Sequence, residues 1–566
     1  MSTESNKTGS WRFLRPRYDE KTAPCSTACP AGEDIARIEM LTTQGLFKEA
    51  WETILKENPF PAVCGRVCYH PCEGRCNRGE FDEAIAIHTL ECFLADTAQR
   101  NEFKPAMKRM PAKKQKIAIV GAGPSGLAAA YFLTMLGYAC DVFETTPEAG
   151  GVLRWGIPLY RLPLSVLRSE IARIEAMGVR IHTERHLSQE FLKEAGSSYA
   201  AVFMGCGHAR SRKLNIPGEE SEGLEDGLRL LNGVRRGETP SISGTVAVIG
   251  GGNTAVDVAR NVIRLGGTSL LVYRRRREDM PAFEEEIGMA IEEGVNLMEL
   301  LAPVKVARDG DGYALEVQPM MVAGTDEDGR AAIRPADKPT NVLKVQKIFK
   351  AIGEEAVEEW FTPPADGEEP LILSNSVVVC PQQGPVLIYG GDLTNRIKSV
   401  VHAVASGKEA AIVLDVFFSK GREAIEPTLN RCRVGNGPSL SMEVYTEGPR
   451  SFRNHHVVEY DEINSEYFEM ASRISQPRLV IDERLSTFDE IDLKISANLA
   501  IREAERCFNC GICNQCDNCH LFCPDLAVCR DDSAQGRHIN YDYCKGCGIC
   551  VVECPRNAMV LEEEGQ

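Results

Sequence analysis

Two glycine-rich turns that each join a buried strand to a helix, together with two dense groups of cysteines near the chain ends, predict an α/β protein. The turns indicate two nested Rossmann-like dinucleotide-binding domains, because strand and helix signals of the first domain resume after the second domain ends. The cysteine groups indicate a helical N-terminal domain and a small C-terminal domain that both hold metal. The expected divisions are the N-terminal domain 1–110, the first dinucleotide domain 111–235, the inserted domain 236–375, the return of the first domain 376–420, a connector 421–500 and the C-terminal domain 501–566.

The first turn follows four apolar residues, 117–120, which are typical of a buried parallel strand. Gly121, Gly123 and Gly126 form a GxGxxG pattern that opens a helix, so a pyrophosphate can approach the backbone at the positive helix end. The next strand ends in Glu144, eighteen positions after Gly126, where an acid can accept from a ribose hydroxyl. Strand, glycines, helix and acid together predict a bound dinucleotide.

The pattern repeats around residue 250, but no acid follows. A strand at 245–249 leads into a GxGxxA turn from Gly250 to Ala255, and the following strand ends before Arg274 to Arg277. Guanidinium groups at that place suit the 2′-phosphate of NADPH, whereas an acid would repel it, so the pattern favours NADPH over NADH. A solvated basic turn is the alternative.

A strand at 386–389 is followed by Gly391 and Asp392, and then by a helix over 400–414. An acid between a strand and a helix N-terminus can accept from a hydroxyl of a flavin ribityl chain. We therefore expect the first domain to resume here and to bind FAD, with the NAD(P) domain inserted into it.

Of the 22 cysteines, six lie between Cys25 and Cys76 and eleven between Cys507 and Cys554. Such short spacings in a chain without a secretion signal favour metal over disulfides. Six thiolates within about fifty residues suit at least one N-terminal iron–sulfur cluster, with zinc as the runner-up.

The C-terminal cysteines show the CxxCxxCxxxCP spacing of two-cluster ferredoxins, given twice. The fourth cysteine of each run is expected to bind the other cluster. Cys507 and Cys510 extend the spacing upstream, which allows a shift of phase by one step, although the two Cys-Pro pairs argue against it. The predicted [4Fe–4S] ligand sets are Cys513, Cys516, Cys519 and Cys554, and Cys544, Cys547, Cys550 and Cys523.

Residues 25–415 resemble the small subunit of NADPH-dependent glutamate synthase and its relatives. The matching phrases are CGRVC, CEGRC, GAGPSGL, GGVLRWGIP, GGGNTAVD, VYRRRRE and GGD. The resemblance implies an FAD flavoprotein that NAD(P)H reduces. The FAD residues expected on this basis are Gly121, Gly123, Pro124, Ser125, Gly126, Glu144, Gly151, Leu153, Arg161, Gly391 and Asp392. The NAD(P) residues expected are Gly250, Gly252, Asn253, Thr254, Arg274 and Arg275.

The chain departs from this family at both ends. The family carries a further CxxC just before the equivalent of Cys25, and residues 15–23 contain no cysteine. We therefore expect one cluster near the flavin, for which the resemblance implies Cys29, Cys68, Cys72 and Glu91 as ligands. The remaining cysteines, Cys25, Cys64 and Cys76, either complete a second cluster or stay free.

The glutamate synthase subunit also lacks a C-terminal ferredoxin-type domain. Chains that have one look like the electron-input flavoproteins of other complexes, including 2-oxoacid:acceptor oxidoreductases and enzymes of dissimilatory sulfite reduction. The sequence thus predicts an oxidoreductase subunit that moves electrons between NAD(P)H and ferredoxin or a catalytic partner subunit. The alternatives are a glutamate synthase small subunit, a bifurcating NADH/NADPH–ferredoxin transhydrogenase subunit, or a non-catalytic redox sensor or scaffold.

The net charge and the distribution of apolar residues limit the kinds of partner and the cellular location that we expect. A net charge of −17 argues against nucleic acid or an anionic membrane as partner. The N-terminal residues lack the apolar core of a secretion signal, and no apolar run is long enough to span a bilayer. We expect a cytoplasmic protein.

Overall fold

The N-terminal region is mainly helical. The computed structural model describes residues 7–106, 109–325, 330–357, 370–380, 384–531 and 536–564. The residues from Ile35 to Lys56 predict a helical stretch, and the structure divides it into two helices, because Gly45 takes φ of +70° and ends the first. The elements are β1 (Leu14–Tyr18), α1 (Pro24–Ala28), α2 (Ile35–Thr43), α3 (Phe47–Leu55), α4 (Pro61–Val67) and α5 (Ile87–Arg100).

The first dinucleotide domain begins with alternating strands and helices, as its strand–turn–helix signals predict. Its apolar strands are buried on both faces, which is typical of a parallel sheet. The elements are β2 (Lys116–Val120), α6 (Pro124–Met135), β3 (Ala139–Phe143), α7 (Val152–Trp155), α8 (Leu164–Glu175), β4 (Arg180–His182), α9 (Gln189–Ala195), β5 (Ala201–Met204) and β6 (Arg210–Ser211).

The second domain repeats this arrangement and adds an antiparallel sheet. The elements are β7 (Leu224–Asp226), α10 (Gly227–Arg235), β8 (Thr245–Ile249), α11 (Asn253–Arg264), β9 (Thr268–Val272), α12 (Glu284–Glu292), β10 (Asn296–Met298), β11 (Leu301–Asp309), β12 (Gly312–Thr325), β13 (Ala331–Pro335), β14 (Asn341–Val345), β15 (Lys347–Lys350) and β16 (Glu354–Glu355). Its parallel sheet has the order β10-β9-β8-β15-β7, and β11 to β14 form the antiparallel sheet.

The chain then returns to the first domain and continues to the C-terminus. The remaining elements are β17 (Leu371–Ile372), β18 (Ser376–Val379), β19 (Val386–Gly390), α13 (Val400–Lys420), α14 (Ile425–Arg431), α15 (Met442–Tyr445), α16 (Ile481–Ser486), α17 (Ala497–Glu505), α18 (Asn518–Leu521), β20 (Val528–Asp531), β21 (Gly536–Ile539), α19 (Ile549–Val552) and β22 (Met559–Glu563). The first sheet has the order β17-β18-β19-β5-β2-β3-β4 among the described residues. Since β19 lies parallel to β5, the second domain is inserted into the first, and the predicted nested α/β fold is confirmed.

α13 forms the centre of the molecule. A Cβ on its Gly407 would lie 2.5 Å from the Ser125 carbonyl oxygen, so α13 and α6 cross in close contact there. The neighbouring Lys408 points the other way and pairs with Glu57 at 2.6 Å, with each side chain only 1% exposed. Glu57 also accepts hydrogen bonds from Ser441 and from two backbone N–H groups of α15. No helix among the described residues is long and apolar enough to cross a membrane.

The two ends of the chain meet in one small sheet. β1 pairs antiparallel with β22, from Leu14 opposite Glu563 to Tyr18 opposite Met559. The C-terminal domain is therefore completed by the N-terminal strand, a contact between residues more than 500 positions apart that no local pattern predicts.

We predict that Lys408→Met destabilises the protein by about 3–5 kcal/mol, because it leaves the Glu57 carboxylate buried without its cation. The apparent melting temperature should fall by several degrees in a calorimetric scan. Lys213→Met is the matched control, since Lys213 forms an exposed pair with Glu220 and such pairs contribute about 0–1 kcal/mol.

The double variant Lys408→Met/Glu57→Gln should recover part of the lost stability, because it removes the unpaired charge. Equal melting temperatures for wild type and Lys408→Met would refute this role of the pair.

Candidate functional site

The first glycine-rich turn forms an open cradle at the N-terminus of α6. Gly121 has φ of +98°, and a Cβ on Gly126 would lie 1.9 Å from the Gly121 carbonyl oxygen. Gly123 precedes the helix without a capping side chain, and Pro124 takes the first helical position. An added Cβ on Gly123 would meet only Gly151 Cα, at 3.9 Å. The first N–H groups of α6 therefore face open space, which suits a pyrophosphate.

Two buried polar side chains beside this cradle have polar atoms without a hydrogen-bond partner in the part of the chain that the structure describes. Ser125 Oγ lies in the first turn of α6, and neither side-chain polar atom of Asn395 forms a hydrogen bond within the described residues. Gly391, with φ of +64°, approaches so closely that an added Cβ would lie 2.9 Å from Ser125 Cβ. Burial raises the pKa of the adjacent Asp392. Because buried polar atoms without partners are costly, these groups fit the phosphate and hydroxyl groups of a flavin nucleotide.

Glu144 holds the glycine turn against the end of β3. Its carboxylate accepts from the Ala122 N–H at 2.9 Å, and from the N–H and hydroxyl of Thr146 at 2.9 and 2.8 Å. An ionised carboxylate has about four acceptor positions. One remains for a ribose hydroxyl, so Glu144 can both fix the turn and bind the nucleotide.

The segment after β3 closes over the cradle. Gly151 has φ of +52°, and an added Cβ would lie 2.8 Å from Gly123 Cα, so only glycine permits this approach. Leu153 is fully buried beneath it. Trp155 Nε1 donates to Thr146 Oγ1 at 3.1 Å and ties the segment back to the Glu144 loop.

Arg161 lies at the boundary of the two dinucleotide domains. It donates to both carboxylate oxygens of Asp257 at 2.9 Å, and its Nε lies 2.8 Å from a Glu286 oxygen. Asp257 belongs to α11 and Glu286 to α12. All three side chains are largely buried, so this ion-pair group locks the NAD(P) domain to the FAD domain.

The second glycine-rich turn is also open in front of its helix. Gly250 has φ of +149°, and an added Cβ would lie 2.2 Å from the Ala351 carbonyl oxygen. Around an added Cβ on Gly252 there is no atom within 4 Å among the described residues, and α11 begins without a capping side chain. Asn253 and Thr254 form the first turn of α11. This end of α11 can accept a second pyrophosphate.

The four arginines after β9 have different surroundings. Arg276 pairs with Asp279 at 2.8 Å, and Arg277 pairs with Glu284. Arg274 is exposed, and Arg275 Nε donates to the Ala331 carbonyl oxygen at 2.9 Å. Arg276 and Arg277 are thus paired with acidic side chains. Arg274 and Arg275 lie at the end of β9, where the pattern predicts the 2′-phosphate of NADPH.

The N-terminal ligand candidates converge at the inner side of α4 and α5. Cys29, Cys68 and Cys72 lie near one another, because ionisation of Cys29 and Cys68 would raise the pKa of Cys72, and Glu91 of α5 acts in the same way on Cys29 and Cys68. Cys64 also lies near Glu91 and Cys68, and its thiol is directed toward Asn58. We refer to Cys29, Cys68, Cys72 and Glu91 as the inner set.

Burial disfavours the ionised form of all four groups in the inner set, so a cation is needed to keep them ionised. Burial and nearby acidic groups raise the pKa of Cys29 well above its usual value, and burial and neighbouring thiols do the same for Cys72. Burial and the Glu33 carboxylate likewise raise the pKa of Glu91. Asn58 donates to Glu33 at 2.9 Å and to Glu91 at 3.3 Å. Iron keeps thiolates deprotonated against such a penalty, so these residues fit an iron–sulfur cluster.

The C-terminal cysteines line two separate cavities. One cavity is lined by Cys513, Cys516, Cys519 and Cys554, and the other by Cys523, Cys544, Cys547 and Cys550. The Ala527 N–H donates to Cys523 Sγ at 3.2 Å, and the Ala558 N–H donates to Cys554 Sγ at 3.3 Å, so the two halves repeat the same geometry. Each cavity fits one cluster, and the ligand assignments themselves stay predictions.

A stack of rings connects the inner set to both dinucleotide domains. Tyr69, next to Cys68, stacks on His402 with centroids 5.9 Å apart and on Phe283 with centroids 5.5 Å apart. His402 lies in the first turn of α13, and the Phe283 N–H donates to Asn253 Oδ1 at 3.0 Å. Tyr69 thus touches an element of each dinucleotide domain.

Sequence reasoning did not find several of these residues. Asn395 stands only three positions after Asp392, and Tyr69 directly follows a ligand candidate, so proximity could have indicated both. Glu33, His402 and Phe283 reach the site through contacts between distant segments, for which the sequence carries no local signal.

Three family profiles match successive parts of the chain. The profile of the pyridine nucleotide-disulphide oxidoreductases matches residues 115–407. The profile described as dihydropyrimidine dehydrogenase domain II, 4Fe-4S cluster, matches residues 18–103, and that of the 4Fe-4S binding domain matches residues 537–560. These matches confirm the expected cofactors, which are FAD, NAD(P)H and [4Fe–4S] clusters at both ends.

Similar curated proteins are named as subunits of enzymes that use NADP(+) or NADPH. The NADP(+)-dependent formate dehydrogenase subunit beta of Moorella thermoacetica is 31% identical over 86% of this chain and 70% of its own. The NADPH-Fe(3+) oxidoreductase subunit beta of Geobacter sulfurreducens is 30% identical over 87% of this chain and 75% of its own. The glutamate synthase [NADPH] small chain of Halomonas elongata is 32% identical over 68% of this chain and 86% of its own.

The third relative confirms the resemblance to the glutamate synthase small subunit. The profile at residues 115–407 spans more than half of the 566 residues and includes both glycine-rich turns. The chain belongs to the pyridine nucleotide-disulphide oxidoreductase family and is an NAD(P)H-dependent oxidoreductase.

Proposed function

We propose that this chain moves electrons between NAD(P)H and low-potential iron–sulfur carriers, and that it works as the nucleotide-handling subunit of a larger enzyme. Its electron partner is ferredoxin or a catalytic oxidoreductase subunit, such as that of a 2-oxoacid:acceptor oxidoreductase. Two of the relatives carry names of beta subunits and a third that of a small chain, which supports a role as one subunit among several.

The observation that carries this proposal is the position of Tyr69. Its ring contacts His402 of the FAD domain and Phe283 of the NAD(P) domain, and its backbone continues from Cys68 of the inner set. Tyr69 therefore brings an element of the FAD domain, an element of the NAD(P) domain and the N-terminal thiols together at one place. FAD, when bound, accepts electrons in pairs from NAD(P)H and passes them on singly to iron–sulfur clusters.

The protein's own groups bind and orient the nucleotides. The N-termini of α6 and α11 would face the two pyrophosphates, and Glu144 and Asp392 would accept from hydroxyl groups of the flavin nucleotide. Arg161 restricts the angle between the two domains, because its Nη1 donates to both oxygens of Asp257 while its Nε lies 2.8 Å from Glu286. The two nucleotides are thereby held in a constant relative position.

The function is tested by anaerobic stopped-flow absorbance of the purified holoprotein mixed with NADPH or with NADH. We expect the flavin band to bleach first and the broad iron–sulfur absorbance to follow, because the flavin lies between the nucleotide and the clusters. Absence of bleaching with both nucleotides, in protein with full flavin and iron content, would contradict the proposal.

We predict that Arg274→Ala/Arg275→Ala raises the KM for NADPH about 10- to 100-fold, which corresponds to the loss of a charge-assisted contact worth about 1.5–3 kcal/mol. The KM for NADH should change little, because NADH has no 2′-phosphate. Initial rates with both nucleotides measure the effect.

Arg277→Ala serves as the control for that variant, since Arg277 already pairs with Glu284. It should leave the preference between the nucleotides unchanged. An equal rise in KM for NADPH and NADH in the double variant would show that these arginines do not read the 2′-phosphate.

A further inference from the structure

The fold brings together four of the cysteines that lie outside the inner set and the two C-terminal cavities. Cys25 and Cys76 come from the N-terminal region, whereas Cys507 and Cys510 come from the loop after α17. Asn77, next to Cys76, donates through Nδ2 to Cys510 Sγ at 3.5 Å. Burial raises the pKa of Cys25, and ionisation of the nearby thiols Cys76, Cys507 and Cys510 would raise it further.

Hydrogen bonds of the loop that carries Cys507 and Cys510 hold these two cysteines near Cys25. Gly511 takes φ of +74°, and its carbonyl oxygen accepts from the Lys21 N–H at 2.9 Å. Asn509 Nδ2 donates to the Ala36 carbonyl oxygen of α2 at 2.9 Å, and the Asn509 N–H donates to Cys507 Sγ at 3.4 Å. The loop is thus tied to the segments on both sides of Cys25.

A buried ion pair anchors the helix that precedes the loop. Glu503 of α17, whose side chain is fully buried, accepts from the backbone N–H groups of Ala86 and Ile474 at 2.9 and 3.0 Å. Arg506 pairs with Glu503 at 2.6 Å and with Asp82 at 3.0 Å. Since residues 82–86 follow Cys76 closely, this anchor fixes the two cysteine pairs relative to each other.

The spacing of the sulfurs favours a cluster over a single ion. Tetrahedral zinc with Zn–S bonds of about 2.3 Å would hold its sulfurs about 3.8 Å apart. In the described part of the chain, no three cysteine sulfurs lie within 4.8 Å of one another. The four thiols are thus not gathered as closely as a single zinc ion would require.

Cys507 and Cys510 do not line either of the two C-terminal cavities. The cavity nearer to the loop is lined by Cys513, Cys516, Cys519 and Cys554, and neither Cys507 nor Cys510 contributes to it. This lining favours the expected ligand phase over the shift by one step that the sequence allows.

We propose that Cys25, Cys76, Cys507 and Cys510 bind a fourth [4Fe–4S] cluster, to which the two ends of the chain contribute two thiolates each. The CxxC pair at 507–510 takes the place of the N-terminal CxxC that this chain lacks relative to the glutamate synthase small subunit. Cys25 and Cys510 are buried, and Cys76 and Cys507 are half-buried.

The site lies between the other two groups of ligands. Ionisation of Cys25 would raise the pKa of Cys72 in the inner set, so the two thiols lie close together. Arg556 lines the ferredoxin cavity of Cys516 and Cys554, and its carbonyl oxygen accepts from the Gly511 N–H at 2.7 Å, directly after Cys510. The proposed cluster therefore links the inner set to the C-terminal domain.

The test is iron and sulfide content per FAD in the full-length holoprotein. With four irons per cluster, wild type should contain about 16 irons, and Cys507→Ala/Cys510→Ala about 12. Cys25→Ala/Cys76→Ala should also contain about 12, and the quadruple variant should still contain about 12, because both pairs serve one cluster. Cys529→Ala is the control for a C-terminal cysteine outside every set and should retain about 16.

About 8 irons in the quadruple variant would overturn the proposal, since the pairs would then serve different clusters. About 12 irons in wild type, or zinc in place of the missing irons, would overturn it as well. Low-temperature EPR of the reduced proteins gives an independent readout, in which both double variants should lose the same signal. If a variant loses its flavin, the wild-type count still decides between about 16 and about 12 irons.

Discussion

The two ends of the chain are fastened to each other, and the iron–sulfur part of the molecule depends on that contact. β1 lies beside β22, and Gly9 approaches the C-terminal domain so closely that an added Cβ would lie 1.9 Å from the Tyr541 carbonyl oxygen. Exposed ion pairs such as Lys7 with Asp542 contribute little. The backbone ladder and this close fit hold the ends together, so neither cysteine group is positioned by its own segment alone.

A second contact extends the first. α17 packs on α2 and carries the Glu503–Arg506 pair into the N-terminal domain. A buried pair of this kind is costly to break but adds little net stability, so it serves mainly to fix position. What it fixes is the Cys507–Cys510 loop, at the junction of the helical domain and the ferredoxin-type domain. The inner set, the proposed four-cysteine site and the C-terminal cavities thereby form one series of ligand groups, which starts at the inner set beside the FAD domain.

The nested dinucleotide domains are held with comparable rigidity. Lys408 and Glu57 join α13 to the N-terminal helices, and Arg161 and Asp257 join the FAD domain to the NAD(P) domain. Both pairs are buried at boundaries between domains. A structure that relays electrons between fixed cofactors gains from such constraints, since each carrier must keep its distance to the next.

The local patterns of the sequence predict much of this arrangement. A GxGxxG turn requires only its own strand and helix, and the two CxxCxxCxxxCP runs carry their spacing within a few residues, so both can be recognised from the order of the residues alone. The break at Gly45 was missed because a single glycine can also be accommodated inside a helix.

Contacts between distant segments were beyond local patterns. The resemblance implies that Arg161 contacts the flavin, whereas its protein partners Asp257 and Glu286 lie 96 and 125 positions further along the chain. The convergence of Cys25 with Cys510 depends likewise on how α17 packs. Sequence spacing can identify a pair of ligands but not the pair that faces it.

The central claim is that electrons cross from the flavin to the ferredoxin-type domain through the cluster shared by the two chain ends. Rapid freeze-quench EPR after mixing with NADPH tests it most directly, with wild type compared with Cys507→Ala/Cys510→Ala. The account predicts that the flavin is reduced equally fast in both, while the C-terminal clusters of the variant remain oxidised during the time in which wild type reduces them. Reduction of those clusters at the wild-type rate in the variant would contradict the account.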